Sequence, residues 1–265
     1  MTVSFRPAFD HDNSGFTLVE IAMVMFIIAL LLAGLVPAIT AQLEQQRTNE
    51  TRRQLNEIQE ALIGFAIVNG RLPCPAKAGL ATGVTNAGVE AVYLNSCACT
   101  SGTTFADFSG IACTYSTVTG VLPWTTLGLK ETDAWDRRFT YRVTTHFADQ
   151  ISNTYVWGCG NPEPTVASFS LCSPGWLFVK SSAGGTPVPV ASNLPAIFLS
   201  HGKNGFGAYT SQGIKLPNGS SDEVENSDDN YNFVSHNPTS SFDDIVAWTV
   251  PGILFNRMIA AGKLP

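Results

Sequence analysis

The chain has 265 residues, 45% of them hydrophobic and only 14% charged, with 15 Lys and Arg against 21 Asp and Glu and a net charge of −6. That composition excludes a largely disordered chain and leaves no basic face for a nucleic-acid backbone, so protein or cation are the partners to expect. The length allows one large domain or two ordinary ones.

In chain order, residues 1–15 are short, polar and without periodicity, and read as a leader. From Phe16 the pattern is helical. No charged residue occurs from Ile21 to Leu43, and about 20 apolar residues cross a hydrocarbon core as a helix, so 16–43 is predicted as a transmembrane half. The run is too long for the apolar region of a secretory signal peptide, which spans roughly 7 to 15 residues. Glu20 stands just inside its edge, where an ionisable group costs up to about 2.5 to 3.5 kcal/mol on insertion. An acid kept there needs a use.

Beyond the span, Leu43, Leu55, Ile58, Leu62 and Phe65 fall near one helical face with Glu, Gln, Arg and Asn opposite, so 44–70 is predicted as an amphipathic continuation. Asn69-Gly70, followed by Pro73 and Pro75, supplies the stop. A helix from Phe16 to about Asn69 extends on the order of 80 Å. Gly34 and Pro37 inside it predict a bent or loosened stretch.

Residues 71–265 change character to short β-like runs between turn residues: "AVYL" (91–94), "FTYRVTT" (139–145), "TYVWG" (154–158), "GWLFVK" (175–180) and "PAIFLSH" (195–201), then a short helix around Pro251 to Ala261. The fold class is α+β. A long N-terminal helix lays its amphipathic half on a mostly antiparallel sheet, because stripe and face each bury the other.

Six cysteines, Cys74, Cys97, Cys99, Cys113, Cys159 and Cys172, lie in this head. Their even number in a Gly, Ser and Thr-rich region reads as disulfides of an oxidising compartment, which places the head outside the cytoplasm. The positive charges leave orientation ambiguous, with Arg6 before the span and Arg47, Arg52 and Arg53 after it. Cys159 with Cys172 is the best single pairing, worth roughly 3 kcal/mol by chain entropy. Cys97 and Cys99 bond elsewhere than to each other, one of them with Cys113 as a candidate. A zinc site is the alternative, without a C-x-x-C pair to favour it.

An acidic stretch carries Asp222, Glu223, Glu225, Asp228, Asp229, Asp243 and Asp244, with no Lys or Arg between Leu216 and Asn256. Calcium takes six to eight oxygen ligands of the kinds this stretch offers, so Asp222, Asp228, Asp229, Asp243 and Asp244 are candidate ligands. A solvated acidic loop is the alternative. "NSDDNYN" is no EF-hand, since Tyr231 stands where the turn glycine would be. His201 in "SHGKNGFGAY" has no nucleophile or phosphate-binding fingerprint beside it, and His146 and His236 read as surface residues. No enzyme is predicted, and no cofactor is required beyond a possible calcium.

The run "GFTLVE" (15–20), with its long apolar helix, interior proline and amphipathic extension, resembles the class III signal of type IV pilins and type II secretion pseudopilins. "RLPCPA" (71–76), "GVLPWTTLGLKETDAWDRRFTYRV" (120–143) and "FDDIVAW" (242–248) look like segments of minor pilin-like and pseudopilin-like proteins. Asp133 and Trp135 match a pair in the major pseudopilin pattern, although Asp136 stands where that pattern often has Gly.

The resemblance implies a pilin-like fold, cleavage between Gly15 and Phe16 by a prepilin peptidase, and methylation of the new Phe16 amine. Glu20 would act as the assembly register, pairing with a neighbour's amine. The resemblance also implies a single-pass inner-membrane protein with its head in the periplasm or exterior. Its partners would be other pilin or pseudopilin subunits, the assembly platform and membrane lipid. It raises calcium, which major pseudopilins bind in a C-terminal acidic loop. A minor subunit is expected; a membrane-tethered binding protein or adhesin that borrows the signal is the alternative.

Overall fold

A computed structural model describes residues 15, 17–93, 96–97, 112–113, 117–149 and 166–264. The chain forms two units, 1–46 and 47–265.

In the first unit, α1 begins at Leu18, and it continues without interruption to Asn69. Helical backbone runs through Gly34 and Pro37, where the sequence predicts a bent or loosened stretch. Every side chain from Leu18 to Ala33 is exposed. Among the described residues no helix is long and apolar enough to cross a membrane, and the side chains of 34–38 are not among them.

In the second unit, the rest of α1 turns its apolar stripe inward. Leu55, Ile58, Leu62, Ile63 and Ala66 are buried, the three-and-four spacing that the sequence predicts. Leu43 is exposed instead. Gly70, at positive φ, ends the helix, as the Asn-Gly signal requires.

The remaining elements follow in chain order: β1 (Val92–Tyr93), β2 (Ser96–Cys97), β3 (Ala112–Cys113), β4 (Thr117–Val121), α2 (Trp124–Leu127), β5 (Thr140–Thr144), α3 (Thr145–Ala148), β6 (Leu177–Lys180), β7 (Pro189–Leu194), β8 (Ala196–Ser200), α4 (Ser221–Ser227), β9 (Asn232–Val234), β10 (Ile245–Thr249) and α5 (Pro251–Ala260). The predicted strands near 91–94, 139–145, 175–180 and 195–201 and the C-terminal helix are present. The predicted strand 154–158 lies outside the described residues.

One sheet is predicted, and the strands divide among three. A five-stranded sheet has the order β10-β8-β5-β4-β3, a three-stranded sheet β7-β6-β9, and β1 pairs with β2. All pairings are antiparallel except β6 with β9. The helical layer and the smaller sheet cover opposite faces of the five-stranded sheet. On one face Tyr141, Val143, Ala196 and Phe198 pack in the cluster that holds the α1 stripe and Leu254 and Met258 of α5. On the other, Ile197 and Leu199 pack with Leu177, Val179 and Phe233. Burial on both faces explains why β8 reads as a continuous apolar run rather than an alternating one.

Arg142, paired with Ile197, lies on that second face. Its guanidinium stacks on Phe233 at 5.5 Å. Burial pushes its pKa down to about 10, opposed by Asp229 and Asp228.

Candidate functional site

In the first unit, Thr17 and Glu20 close the start of α1. The Thr17 backbone N–H donates to Glu20 Oε2 at 2.8 Å, and the Thr17 hydroxyl donates to the same oxygen at 2.9 Å. The Glu20 N–H in turn donates to Thr17 Oγ1 at 3.3 Å. This reciprocal arrangement is a capping box: a threonine before the helix and a glutamate at its third position satisfy otherwise orphaned donors. The acid at the edge of the apolar run therefore has a local partner within its own chain. Gly15 is exposed just before it, and Phe16 lies outside the described residues.

In the second unit, three carboxylates meet where the 201–207 turn, α4 and the start of β10 converge. Glu223, Asp243 and Asp244 each bring one oxygen within 4.8 Å of the others. Ser220 begins α4 with a capping box whose glutamate is Glu223, which fixes that side chain inward. Asp243 and Asp244 are delivered by the register of β10 against β8.

Neutral donors hold one side of the cluster. Asn204 Nδ2 donates to Glu223 Oε1 at 2.5 Å, and Asn204 N to Asp243 Oδ2 at 3.0 Å. Asn226 Nδ2 donates to Asp244 Oδ2 at 2.8 Å. The other oxygens, Asp243 Oδ1 and Asp244 Oδ1, are buried without a hydrogen bond, as is His201 Nδ1. His201 Nδ1 lies 3.7 Å from Asp244 Oδ1, while its Nε2 meets Thr140 Oγ1 at 2.8 Å. Burial pushes the Asp243 pKa up, the Asn204 amide opposes it, and the Asp244 and Glu223 charges add to the rise.

Such an arrangement is costly for the protein alone. A buried carboxylate oxygen without a partner forfeits its hydration, and neighbouring like charges repel. A calcium ion at 2.3 to 2.6 Å from each ligand sets oxygens on opposite sides about 5 Å apart or less, a spacing these three carboxylates satisfy. The donor set fits a hard cation.

Of the five acids that the sequence singles out, the fold brings Asp243 and Asp244 together and sends three elsewhere. Asp222 accepts from the Ala183 amide at 2.8 Å and faces His236 Nε2 at 3.0 Å. Asp228 accepts from Asn230, and Asp229 lies 3.8 Å from Arg142. Glu223 takes their place. The legible signal for it is the Ser220-to-Glu223 capping pattern, which aims the acid toward the helix start.

Cys97 bonds elsewhere than to Cys99, as the sequence predicts, and its partner is Cys74, for which the sequence names no partner. Cys172 is also disulfide-bonded, while Cys99 and Cys159, the latter the partner expected for Cys172, lie outside the described residues. Cys113 pairs through β3 with β4. His201, which has the Thr140 hydroxyl at Nε2 and Asp244 at Nδ1, is buried together with both of these neighbours. His146 is buried, contrary to the surface position predicted, with Nε2 donating to Pro174 O at 2.7 Å.

Residues 10–36 match the family model of the prokaryotic N-terminal methylation motif. No curated protein and no solved structure matches the chain.

Proposed function

We propose that this protein, whose residues 10–36 are the prepilin-type signal of type IV pilins and pseudopilins, is a minor subunit of a type IV filament or type II secretion pseudopilus. The signal match is the observation that carries the reading. It implies processing by prepilin peptidase and assembly with other pilin-like subunits, and it points to a structural part rather than an enzyme. The charge-free run Ile21–Leu43 supports a single inner-membrane anchor with the head outside the cytoplasm.

Mass spectrometry of the mature N-terminus tests the reading: a chain beginning at N-methylated Phe16 is expected, and a retained Met1 overturns it. Glu20 serves assembly by exchanging Thr17 for a neighbour's Phe16 amine. Glu20→Ala is expected to leave membrane insertion intact and to lower incorporation into filaments about tenfold, the effect of losing ~1.4 kcal/mol of pairing. Equal recovery of mutant and wild type in sheared filaments would contradict that role.

The head holds calcium through Glu223, Asp243 and Asp244. Support comes from the two orphaned carboxylate oxygens in a buried like-charged cluster. Calcium at about 100 times its Kd adds ~2.7 kcal/mol, which raises the melting midpoint of a head this size by roughly 5 to 10 °C. Chelator is expected to remove that increment and Asp244→Asn to abolish it. A midpoint unmoved by calcium removes the site.

A further inference from the structure

The outer edge of the five-stranded sheet offers a second surface. β10 pairs with β8 on one side only, and the ladder register determines which of its backbone groups face away. Thr144 N donates to Pro195 O at 2.8 Å, so the next residues of β8 alternate from that point. Ile197 and Leu199 turn their N–H and C=O toward β5; Ala196, Phe198 and Ser200 turn theirs toward β10. The partners of these three are Thr249, Ala247 and Ile245. Val246 and Trp248 therefore present both N–H and C=O outward, and none of these four groups has a hydrogen bond among the described residues.

A trough of about 380 Å³ runs along this edge, lined by Arg52, Leu55 and Asn56 of α1, by the 235–238 segment and by residues 244–247. Residues 245–248 are half-buried beside these walls, but the strand itself carries no protecting charge or proline. The strand "IVAWT" has no charge and no proline, whereas β7, an edge of the smaller sheet, begins at Pro189 after Pro187. Unpaired, uncharged edges are templates for another strand. Arg52 is exposed on the trough wall with no ion pair or hydrogen bond among the described residues.

We propose that β10 is a docking edge for an extended segment of a partner protein that adds a strand beside it and carries an acidic residue for Arg52. The two outward N–H groups donate and the two outward C=O groups accept, up to four backbone hydrogen bonds in all, so affinity comes from the partner's main chain. Arg52 supplies the charge complementarity that selects an acid at the trough wall and rejects a base. This docking does not depend on the filament reading, because it is measured on the head's own edge and needs no assembled partner.

The test uses the full chain in detergent micelles and two probes, acetyl-TVDVTV-amide and acetyl-TVKVTV-amide. The aspartyl peptide is expected to bind and to slow hydrogen exchange at the Val246 and Trp248 amides at least about tenfold, with the lysyl peptide about tenfold weaker. Val246→Pro deletes one outward donor while leaving the β8 ladder its own donors, and is expected to abolish binding. Arg52→Glu, which touches no ladder, is expected to reverse the preference between the peptides. Absence of binding, binding that leaves both amides exchanging at their free rate, or an Arg52→Glu protein with unchanged preference overturns the proposal.

Discussion

His146 shows how one buried side chain sets a pH limit. It packs against Phe147, with ring centroids 4.9 Å apart, and burial pushes its pKa below the usual histidine range, opposed by the bond to Pro174 O. The folded head thus resists protonating this ring while the unfolded chain takes a proton near pH 6.5. Below that pH the unfolded state binds more protons, so stability falls as pH drops from about 6.5 and is fully present above it. Urea midpoints at pH 7.5 and 5.5 are expected to show a loss for the wild type and a smaller loss for His146→Gln. A variant as acid-sensitive as the wild type would assign the effect to another group. At this scale the sequence displays the acids of 222–244 but not which ones meet. Asp243 and Asp244 arrive through strand register and Glu223 through a helix cap, while the hydrogen bonds of Asp222 and Asp228 hold them elsewhere.

Among the elements, the segment leaving α1 is fastened twice. Cys74 is bonded to Cys97 across a sequence separation of 23. Beside it Arg71 pairs with Glu90 at 2.8 Å, and Glu90 also accepts from Cys74 N at 3.1 Å. Loop-entropy arithmetic gives the disulfide about 3 kcal/mol. Cys74→Ser is expected to lower the stability of the oxidised protein by that amount in a urea titration, while the Arg71–Glu90 pair keeps the segment near its place. The amphipathic half of α1, β5, β6, β8 and α5 are legible because their signals are local: a 3.6-residue stripe, apolar runs, and a proline at the first turn of α5. β7 is hidden by its prolines and β9 by its shortness. β10 is hidden because its apolar run merges in sequence with that of α5 just after it.

For the molecule as a whole, the sequence announces a long N-terminal helix and an α+β head, and the N-terminal signal is legible because its residues stand at fixed spacing within one short stretch. Two stacked sheets are not legible from periodicity. The parallel pairing of β6 with β9 and the sharing of β8 by two cores join segments remote in the chain, and no local pattern encodes such pairings. The α1 stripe illustrates the difference: its face is readable from its spacing, but its companions Leu254 and Met258 are not.

That companionship governs how the head is made. Leu55, Ile58 and Leu62 enter the chain early, whereas Leu254, Met258 and Leu264, which share their cluster, follow every described strand. The first apolar face must wait through the synthesis of every strand before its covering is complete, because contacts between distant segments form only after the intervening chain is available. A growing chain thus carries an open, sticky helix until α5 emerges. Premature termination before α5 leaves that face uncovered and turns the incomplete chain into a substrate for chaperones and proteases.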